Sequence, residues 1–352
     1  AERKADIAQM RDGTPSGVTW DVVESLPVAE AIKTRTGPFE DHLTAYRQSL
    51  QHLSAQGVKT VCYNIMPDLD WPRTDVAKRM SHGGTAMSFD LSDFAMFDIH
   101  ILKRAEAIKE YPPQIIDAAA QRYRDMDAKQ CETLTKTIVA GLPGAAEHFT
   151  LAELRAALKR YENIDADQLR QNLKAFLEAV VPTAERFGVK LCCHPDDPPW
   201  PVLGLPRVVS TEQDIEWLLA AVDRDANGLT FCSGSLGARA DNDLPALIRR
   251  FARRIHFVHL RNVRRACETV PTSFFEDSHL AGSTDMIAVL RAFLEEHPTY
   301  SDLPMRPDHG QDILTDLGRN AAPGYPLCGR MRGLAELRGA MLALQHAYPA
   351  RS

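Results

Sequence analysis

The chain has 352 residues, of which 44% are hydrophobic and 25% are charged, and its formal net charge is −6. A chain of this length can bury a large core in one or two domains, and its charge offers no basic surface for nucleic acid. No apolar run approaches the roughly 20 residues needed to cross a bilayer. The cysteines are scattered and odd in number, which predicts reduced thiols in a cytoplasmic protein.

Short apolar segments alternate with amphipathic helical segments along most of the chain. Helices are predicted at 39–56, 210–223, 243–254, 283–296 and 333–348, and strands at 18–24, 58–64, 189–194, 228–232, 255–260 and 303–308. This alternation is typical of a parallel sheet and favours an α/β fold, a (β/α)8 TIM barrel. The count is two strands short of eight. We expect one near 325–330 and the other before residue 1, as a missing first strand.

The segment 66–188 interrupts the alternation. It is predicted to be a mainly helical excursion within a single barrel domain that spans 1–352. A turn is expected at 81–85, capping boxes at 150–153 and 165–168 begin two helices, and Pro182 is expected to break the second of these. No Gly/Ser-rich linker and no block of charge marks a domain boundary.

Residue types that bind metals close four of the predicted strands, namely His194, Cys232, His259 and Asp308. They lie too far apart in sequence for a zinc-finger knuckle, but they suit one ligand per strand around the mouth of a barrel. Two neutral imidazoles, a thiolate and a carboxylate together balance a divalent cation. Cysteine with two histidines suggests zinc or a late transition metal, and the carboxylate leaves Mn²⁺ and Fe²⁺ open.

Each residue type also has a purely structural interpretation. Free cysteine is usually a small buried hydrophobe, and we expect that role for Cys62, Cys131, Cys192 and Cys193. A histidine at a strand end often only forms hydrogen bonds, and His256, in the middle of a strand, is assigned to packing or to the surface. The argument for a site is the recurrence of ligand types at four successive strand ends.

A series of ordered motifs resembles the mannonate dehydratase family. The motifs are Asn64-Ile-Met-Pro-Asp-Leu-Asp-Trp71, Ala140-Gly-Leu-Pro-Gly144, His194-Pro-Asp-Asp-Pro-Pro199, Gly204-Leu-Pro-Arg-Val-Val-Ser-Thr211, Cys232-Ser-Gly-Ser235, Arg239-Ala-Asp-Asn-Asp-Leu244, His259-Leu-Arg261, Arg306-Pro-Asp-His-Gly310 and Pro323-Gly-Tyr325. The resemblance covers essentially the whole chain from about residue 18 onward. It implies a xylose-isomerase-like barrel with a divalent metal, preferably Mn²⁺ or Fe²⁺. The implied reaction converts D-mannonate to 2-keto-3-deoxy-D-gluconate and water in hexuronate breakdown.

Carried over residue by residue, the resemblance implies that the four strand-end residues bind the metal. It implies that His309 and Tyr325 form the catalytic pair. One must act as a base near C2 of the substrate and the other as an acid for the leaving hydroxyl on C3, and the sequence leaves their order open. Members of the family are expected to be homo-oligomers, here a dimer, with D-mannonate as the small-molecule partner.

Arg261 and His279 are predicted to bind the substrate. Arg261 follows His259 on the same strand face by the period of two, and arginine grips carboxylates in a fork. Its alternative is a surface salt bridge. His279 lies in the loop before a predicted helix and matches the family pattern. Arg239 and Asp241 are interpreted as a structural ion pair or as site residues.

Two other functions stay open at this point. A sugar isomerase or epimerase of the same barrel class would not need an acid for a leaving hydroxyl. A non-catalytic sugar-acid-binding relative would be free to lose His309 and Tyr325, which this chain retains.

Overall fold

The computed structural model describes residues 2–10, 12–140, 150–297, 300, 303–319 and 321–348. The strands are β1 (Val22–Glu24), β2 (Thr60–Tyr63), β3 (Asp75–Arg79), β4 (Thr85–Phe89), β5 (Lys190–Cys193), β6 (Asn227–Cys232), β7 (Ile255–Leu260), β8 (Val263–Arg265), β9 (Phe274–Glu276) and β10 (Met305–Pro307). The α-helices are α1 (Glu2–Ala8), α2 (Glu30–Thr34), α3 (Phe39–Ala55), α4 (Leu91–Met96), α5 (Pro113–Asp125), α6 (Ala128–Val139), α7 (Leu151–Arg160), α8 (Ala166–Arg186), α9 (Glu212–Ala221), α10 (Ser233–Gly237), α11 (Leu244–Phe251), α12 (Met286–Glu296) and α13 (Leu327–Ala347). A π-helical turn (Phe97–Leu102) extends α4, and 3-10 turns lie at Ala107–Lys109, Ala252–Arg254 and Leu314–Asp316.

Six parallel strands form the main sheet, in the order β1-β2-β5-β6-β7-β10. They are the six strands expected from the sequence, so those predictions are confirmed. The two edge strands lie close together in space, as the 2.8 Å contact between Arg306 Nη1 of β10 and Glu24 Oε2 of β1 shows. The sheet is therefore curled as in an α/β barrel, which confirms the predicted fold class.

Side chains alternate between the two faces of this sheet. Cys62 and Cys192 pair in register on β2 and β5 and pack with Phe257 of β7 in a small inner cluster. The neighbouring residues Val61 and Leu191 face the opposite way, into the main core under the helices. The inner cysteines are buried thiols without a disulfide, so the structural interpretation of Cys62 and Cys192 is confirmed.

The segment 66–188 consists mostly of helices, but it also contributes two strands to a second sheet that the sequence analysis did not predict. Strands β3 and β4 form a hairpin around the predicted turn at 81–85, and β4 pairs with β9, which pairs with β8. All three contacts are antiparallel. The sequence signal for these strands was weak because β3 is mostly exposed and charged. In addition, β4 pairs with β9, which lies almost 200 residues later in the chain.

Two helix predictions and one strand prediction are also corrected. The helix α8 runs through Pro182 without a break, because residues on either side of the proline, including Val180 and Ala184, are fully buried in the core. The helix predicted at 283–296 begins later, because its cap is Asp285, whose side chain accepts from the Ala288 backbone N–H. The eighth-strand candidate at 325–330 is wrong, since α13 occupies it from Leu327 onward.

Within the described part of the chain, none of the helices combines the length and the apolar character that a membrane crossing requires. Residues 141–144 of the family-like motif that begins at Ala140 fall outside the described residues.

Candidate active site

A cavity of about 800 Å³ opens at the carboxyl ends of the parallel strands. Five of the six strands bring side chains to its wall: Glu24 from β1, Asn64 after β2, His194 after β5, His259 from β7 and Asp308 after β10. Parallel strands all end on the same side of a barrel, which is why residues so distant in sequence meet here.

His194, Cys232 and His259 form a group whose potential ligand atoms all lie within 4.8 Å of one another. His194 Nδ1 lies 2.7 Å from the Pro195 carbonyl, and His259 Nε2 lies 3.0 Å from Glu24 Oε2. These partners are acceptors only, so in the neutral rings they take the single N–H of each imidazole. The nitrogens that remain, His194 Nε2 and His259 Nδ1, both carry lone pairs and face each other at 3.2 Å.

Two facing lone pairs repel unless a proton or a metal ion lies between them, and without a metal ion Glu24 and Asp308 outweigh burial and raise the pKa of His259. Two nitrogens bound at about 2.1 Å to one tetrahedral ion would lie about 3.4 Å apart, close to the observed 3.2 Å between His194 Nε2 and His259 Nδ1. The donor set therefore fits a metal ion.

Asp308, the fourth predicted ligand, lies beside this group. Its Oδ2 is 3.6 Å from His259 Nδ1, and its Oδ1 accepts from Arg306 Nη2. Burial favours the neutral carboxyl, but His309, His259 and Arg306 outweigh it and hold the pKa of Asp308 well below its ordinary value. Asp308 is therefore a carboxylate, as a metal ligand must be.

Cys232 ends β6 and is fully buried. Its sulfur accepts from the Ser235 backbone N–H at 3.4 Å and from the Ser235 hydroxyl at 3.3 Å, and Arg261 Nη1 approaches it at 3.9 Å. Three donors around one sulfur suit a thiolate, the form that binds metals.

A buried network of four charges lies directly behind Cys232. Arg261 contacts Glu276 through Nε and Nη2, at 2.8 and 2.7 Å, and contacts Asp197 through Nη1 at 2.6 Å. Arg73 bridges the same two carboxylates, with Nη1 3.0 Å from Asp197 and Nη2 3.1 Å from Glu276. The four formal charges cancel.

This network decides the position of Arg261. The residue is 1% exposed, so the alternative of a surface salt bridge is wrong. Its guanidinium lines the cavity, but its donors are already directed at Asp197, Glu276 and Ser235. In this arrangement Arg261 supports the wall of the site.

His309 and Tyr325 lie together on the cavity wall, with ring centroids 5.2 Å apart. Trp71 also packs edge-on against His309, with ring centroids 4.9 Å apart. His309 Nδ1 lies 3.5 Å from Glu276 Oε1 but forms no hydrogen bond among the described residues. Burial and the charge of Asp308 raise the pKa of Tyr325 above its ordinary value, so the phenol keeps its proton at neutral pH.

Other predicted residues lie elsewhere. His279 is buried outside the cavity wall, in a crevice against Gly333 of α13. Arg239 and Asp241 form an ion pair at 2.7 Å, as one interpretation expected. His256 lies near the opposite end of the barrel, where its Nε2 is 2.8 Å from the Asp225 carbonyl and burial lowers its pKa to about 4.

The sequence analysis missed Glu24 as a site residue. It is the last residue of β1, so the strand-end rule that selected His194 and Cys232 also applied to it. Burial raises the pKa of Glu24, but His259 and Arg306 outweigh that effect and lower it below its ordinary value. Glu24 is thus an ionised carboxylate on the cavity wall.

Fold and site together define an α/β barrel with three potential metal ligands, two histidines and a cysteine, at the carboxyl ends of its parallel strands. The model of the D-mannonate dehydratase (UxuA) family matches residues 4–351. The chain belongs to this family.

Similar proteins agree with this assignment. The chain is 54% identical over 337 residues to mannonate dehydratase 1 of Agrobacterium fabrum, covering 94% of this chain and 84% of that protein. It is 51% identical over 338 residues to the mannonate dehydratase of Rhizobium meliloti, with the same coverage. Its fold resembles the crystal structure of mannonate dehydratase from Streptococcus suis serotype 2, with a TM-score of 0.71 at 29% identity, covering 94% of this chain and 79% of that one.

Proposed function

We propose that the protein is a metal-dependent hydro-lyase that converts D-mannonate to 2-keto-3-deoxy-D-gluconate and water, in hexuronate catabolism. The observation that carries the proposal is the cluster of His194, Cys232 and His259, with Asp308 beside it, next to a cavity that His309 and Tyr325 line. Membership in the D-mannonate dehydratase family supports the choice of substrate.

The four strand-end residues would hold the ion, which we propose to be Mn²⁺ or Fe²⁺. Mixed nitrogen, sulfur and carboxylate donors accept several divalent metals, so availability in the cell contributes to the choice. When bound, the ion neutralises the substrate carboxylate and stabilises the negative charge that develops beside it when the C2 proton leaves.

The reaction needs one base and one acid. Removal of the proton from C2 and loss of the hydroxyl from C3 leave an enol, which becomes the 2-keto acid. Hydroxide is a poor leaving group and must take a proton as it departs. We assign the acid to Tyr325, because its burial keeps the phenol protonated. His309, whose ring packs against that of Tyr325 on the same cavity wall, is then the base.

Product analysis tests the function directly. Metal-stripped protein is incubated with D-mannonate, Mn²⁺ is added, and the 2-keto-3-deoxy acid is quantified, with the C2 epimer D-gluconate as the control substrate. We expect product only with D-mannonate and only after metal addition. Protein that binds one metal ion per chain but forms no product with any of several divalent metals would contradict the proposed reaction.

We also propose that the protein is a cytoplasmic homo-dimer. All seven cysteines are free thiols, as expected in a reducing compartment. Sedimentation of the purified protein would test the dimer.

A further inference from the structure

We propose that Glu24 is a positioning residue that holds the His259 ring so that Nδ1, rather than Nε2, faces the metal-ligand group. Glu24 Oε2 lies 3.0 Å from His259 Nε2. The opposite ring nitrogen, Nδ1, lies 3.2 Å from His194 Nε2 and 3.6 Å from Asp308 Oδ2. The inference rests on the proposed metal site and assigns a role to a residue outside the ligand set.

The argument depends on where the single proton of a neutral imidazole lies. An ionised carboxylate only accepts hydrogen bonds, so its contact with Nε2 requires the proton on that nitrogen. His259 Nδ1 then keeps its lone pair. The Pro195 carbonyl does the same for His194, by accepting from Nδ1 and leaving Nε2 free. Each of the two histidines therefore has one acceptor that fixes its tautomer, and Glu24 is the acceptor that carries a charge.

Glu24 is itself held in place from the far edge of the sheet. Arg306 on β10 contacts Glu24 Oε2 through Nη1 at 2.8 Å and contacts Asp308 Oδ1 through Nη2. The side chain of Glu24 is only 20% exposed. Glu24 on β1 thus contacts the proposed ligand His259 directly and is linked to the proposed ligand Asp308 through Arg306. Carboxylates that orient metal-binding histidines raise metal affinity by about 10–100-fold.

The first test identifies the nitrogen of His259 that binds an ion. Protein with ¹⁵N-labelled histidine rings is loaded with Zn²⁺, which is diamagnetic, and long-range ¹H–¹⁵N correlations assign the protonated and metal-bound nitrogens. We expect a protonated Nε2 and a Zn²⁺-bound Nδ1 for His259. Zn²⁺ bound through Nε2 would overturn the inference and leave the metal site intact. The absence of any Zn²⁺-dependent change at His194 and His259 would instead contradict the proposed metal site itself.

The second test measures Mn²⁺ affinity by electron paramagnetic resonance titration, without turnover. We expect Glu24→Ala to weaken binding by about 10–100-fold. Glu24→Gln should stay close to wild type, because its amide oxygen still accepts from Nε2–H. Glu30→Ala is the matched control, since Glu30 lines the same cavity but pairs with Lys33 and Tyr161.

Two results would overturn the role of Glu24. One is wild-type affinity in Glu24→Ala. The other is Glu24→Gln as weak as Glu24→Ala, which would show that the charge pair with Arg306, and not the hydrogen bond to His259, supports the site. If Glu24→Ala fails to fold, the glutamine variant and the ring-nitrogen assignment of the wild type still decide the question.

Discussion

The rings of His309 and Tyr325 meet edge to face, with their planes at 88° and their centroids 5.2 Å apart. A proton acceptor and a proton donor on one cavity wall are what removal of water from adjacent carbons requires. The two roles can be separated, because loss of the C2 proton can be followed by exchange with D₂O even when no product forms.

We expect His309→Asn to bind Mn²⁺ normally but to lose both C2 exchange and turnover, by at least about 100-fold. Tyr325→Phe should lose turnover to a similar extent and retain C2 exchange, because its base is intact. Proton nuclear magnetic resonance of D-mannonate in D₂O measures the exchange. Retained exchange in His309→Asn together with lost exchange in Tyr325→Phe would reverse the assignment.

Cys232→Ser should reduce metal affinity by more than the roughly 100-fold that supporting residues contribute, because a hydroxyl is a poor substitute for a thiolate ligand. Metal content after dialysis against a chelator measures this. Cys192→Ser is the control, as Cys192 is equally buried but faces the inner cluster of the barrel. Equal metal content in wild type and Cys232→Ser would remove Cys232 from the ligand set.

Arg261→Met should lower the free energy of unfolding by about 3–5 kcal/mol, because it leaves the buried carboxylates Asp197 and Glu276 to Arg73 alone. Chemical denaturation measures the change. Arg249→Met, which breaks an exposed pair with Glu295, should cost no more than about 1 kcal/mol. Similar losses in both variants would contradict the structural role of the buried network.

Two glycines of α13 offer a matched pair. A Cβ at Gly333 would lie 2.2 Å from His279 Cε1, whereas a Cβ at Gly339 meets nothing within 4 Å. Gly333→Ala should therefore destabilise the fold by about 1–3 kcal/mol through overpacking. Gly339→Ala should stabilise it by up to about 1 kcal/mol through helix propensity. Thermal unfolding measures both changes, which should shift the Tm in opposite directions. A Tm that rises in Gly333→Ala as well would show that His279 can move aside.

Asp68 on the cavity wall predicts a pH effect on stability. Burial and the charge of Glu30 raise its pKa from 3.8 to about 6. The protonated Asp68 stabilises the folded state fully at pH values below the pKa of the unfolded chain. This stabilisation is lost as the pH rises through the higher pKa of the folded state. Asp68→Asn stays neutral, so its Tm relative to wild type should rise between about pH 4 and pH 6. The exposed Asp223→Asn should show no such trend, and a pH-independent difference for Asp68→Asn would contradict the prediction.

The main sheet could be predicted because its signal is local. The segments at 189–194 and 255–260 are rich in apolar and β-branched residues, as burial on both faces of a parallel strand demands, and each carries a histidine at or next to its end. The antiparallel sheet gave no comparable signal, since β3 is exposed and β4 pairs on its other side with β9, which lies far along the chain.

By itself, the sequence determined the six strands of the main sheet and the chemical types at their ends, because strand period and ligand chemistry are properties of single segments. The tertiary structure alone decided how those ends meet. Curling of the main sheet brought Glu24 of β1 to His259 of β7 and to Arg306 of β10. The packing of the antiparallel sheet and the loops against it placed Asp197, Glu276 and Arg73 around Arg261. These partners come from distant segments, and which charge neutralises which depends on distances in space that no local pattern encodes.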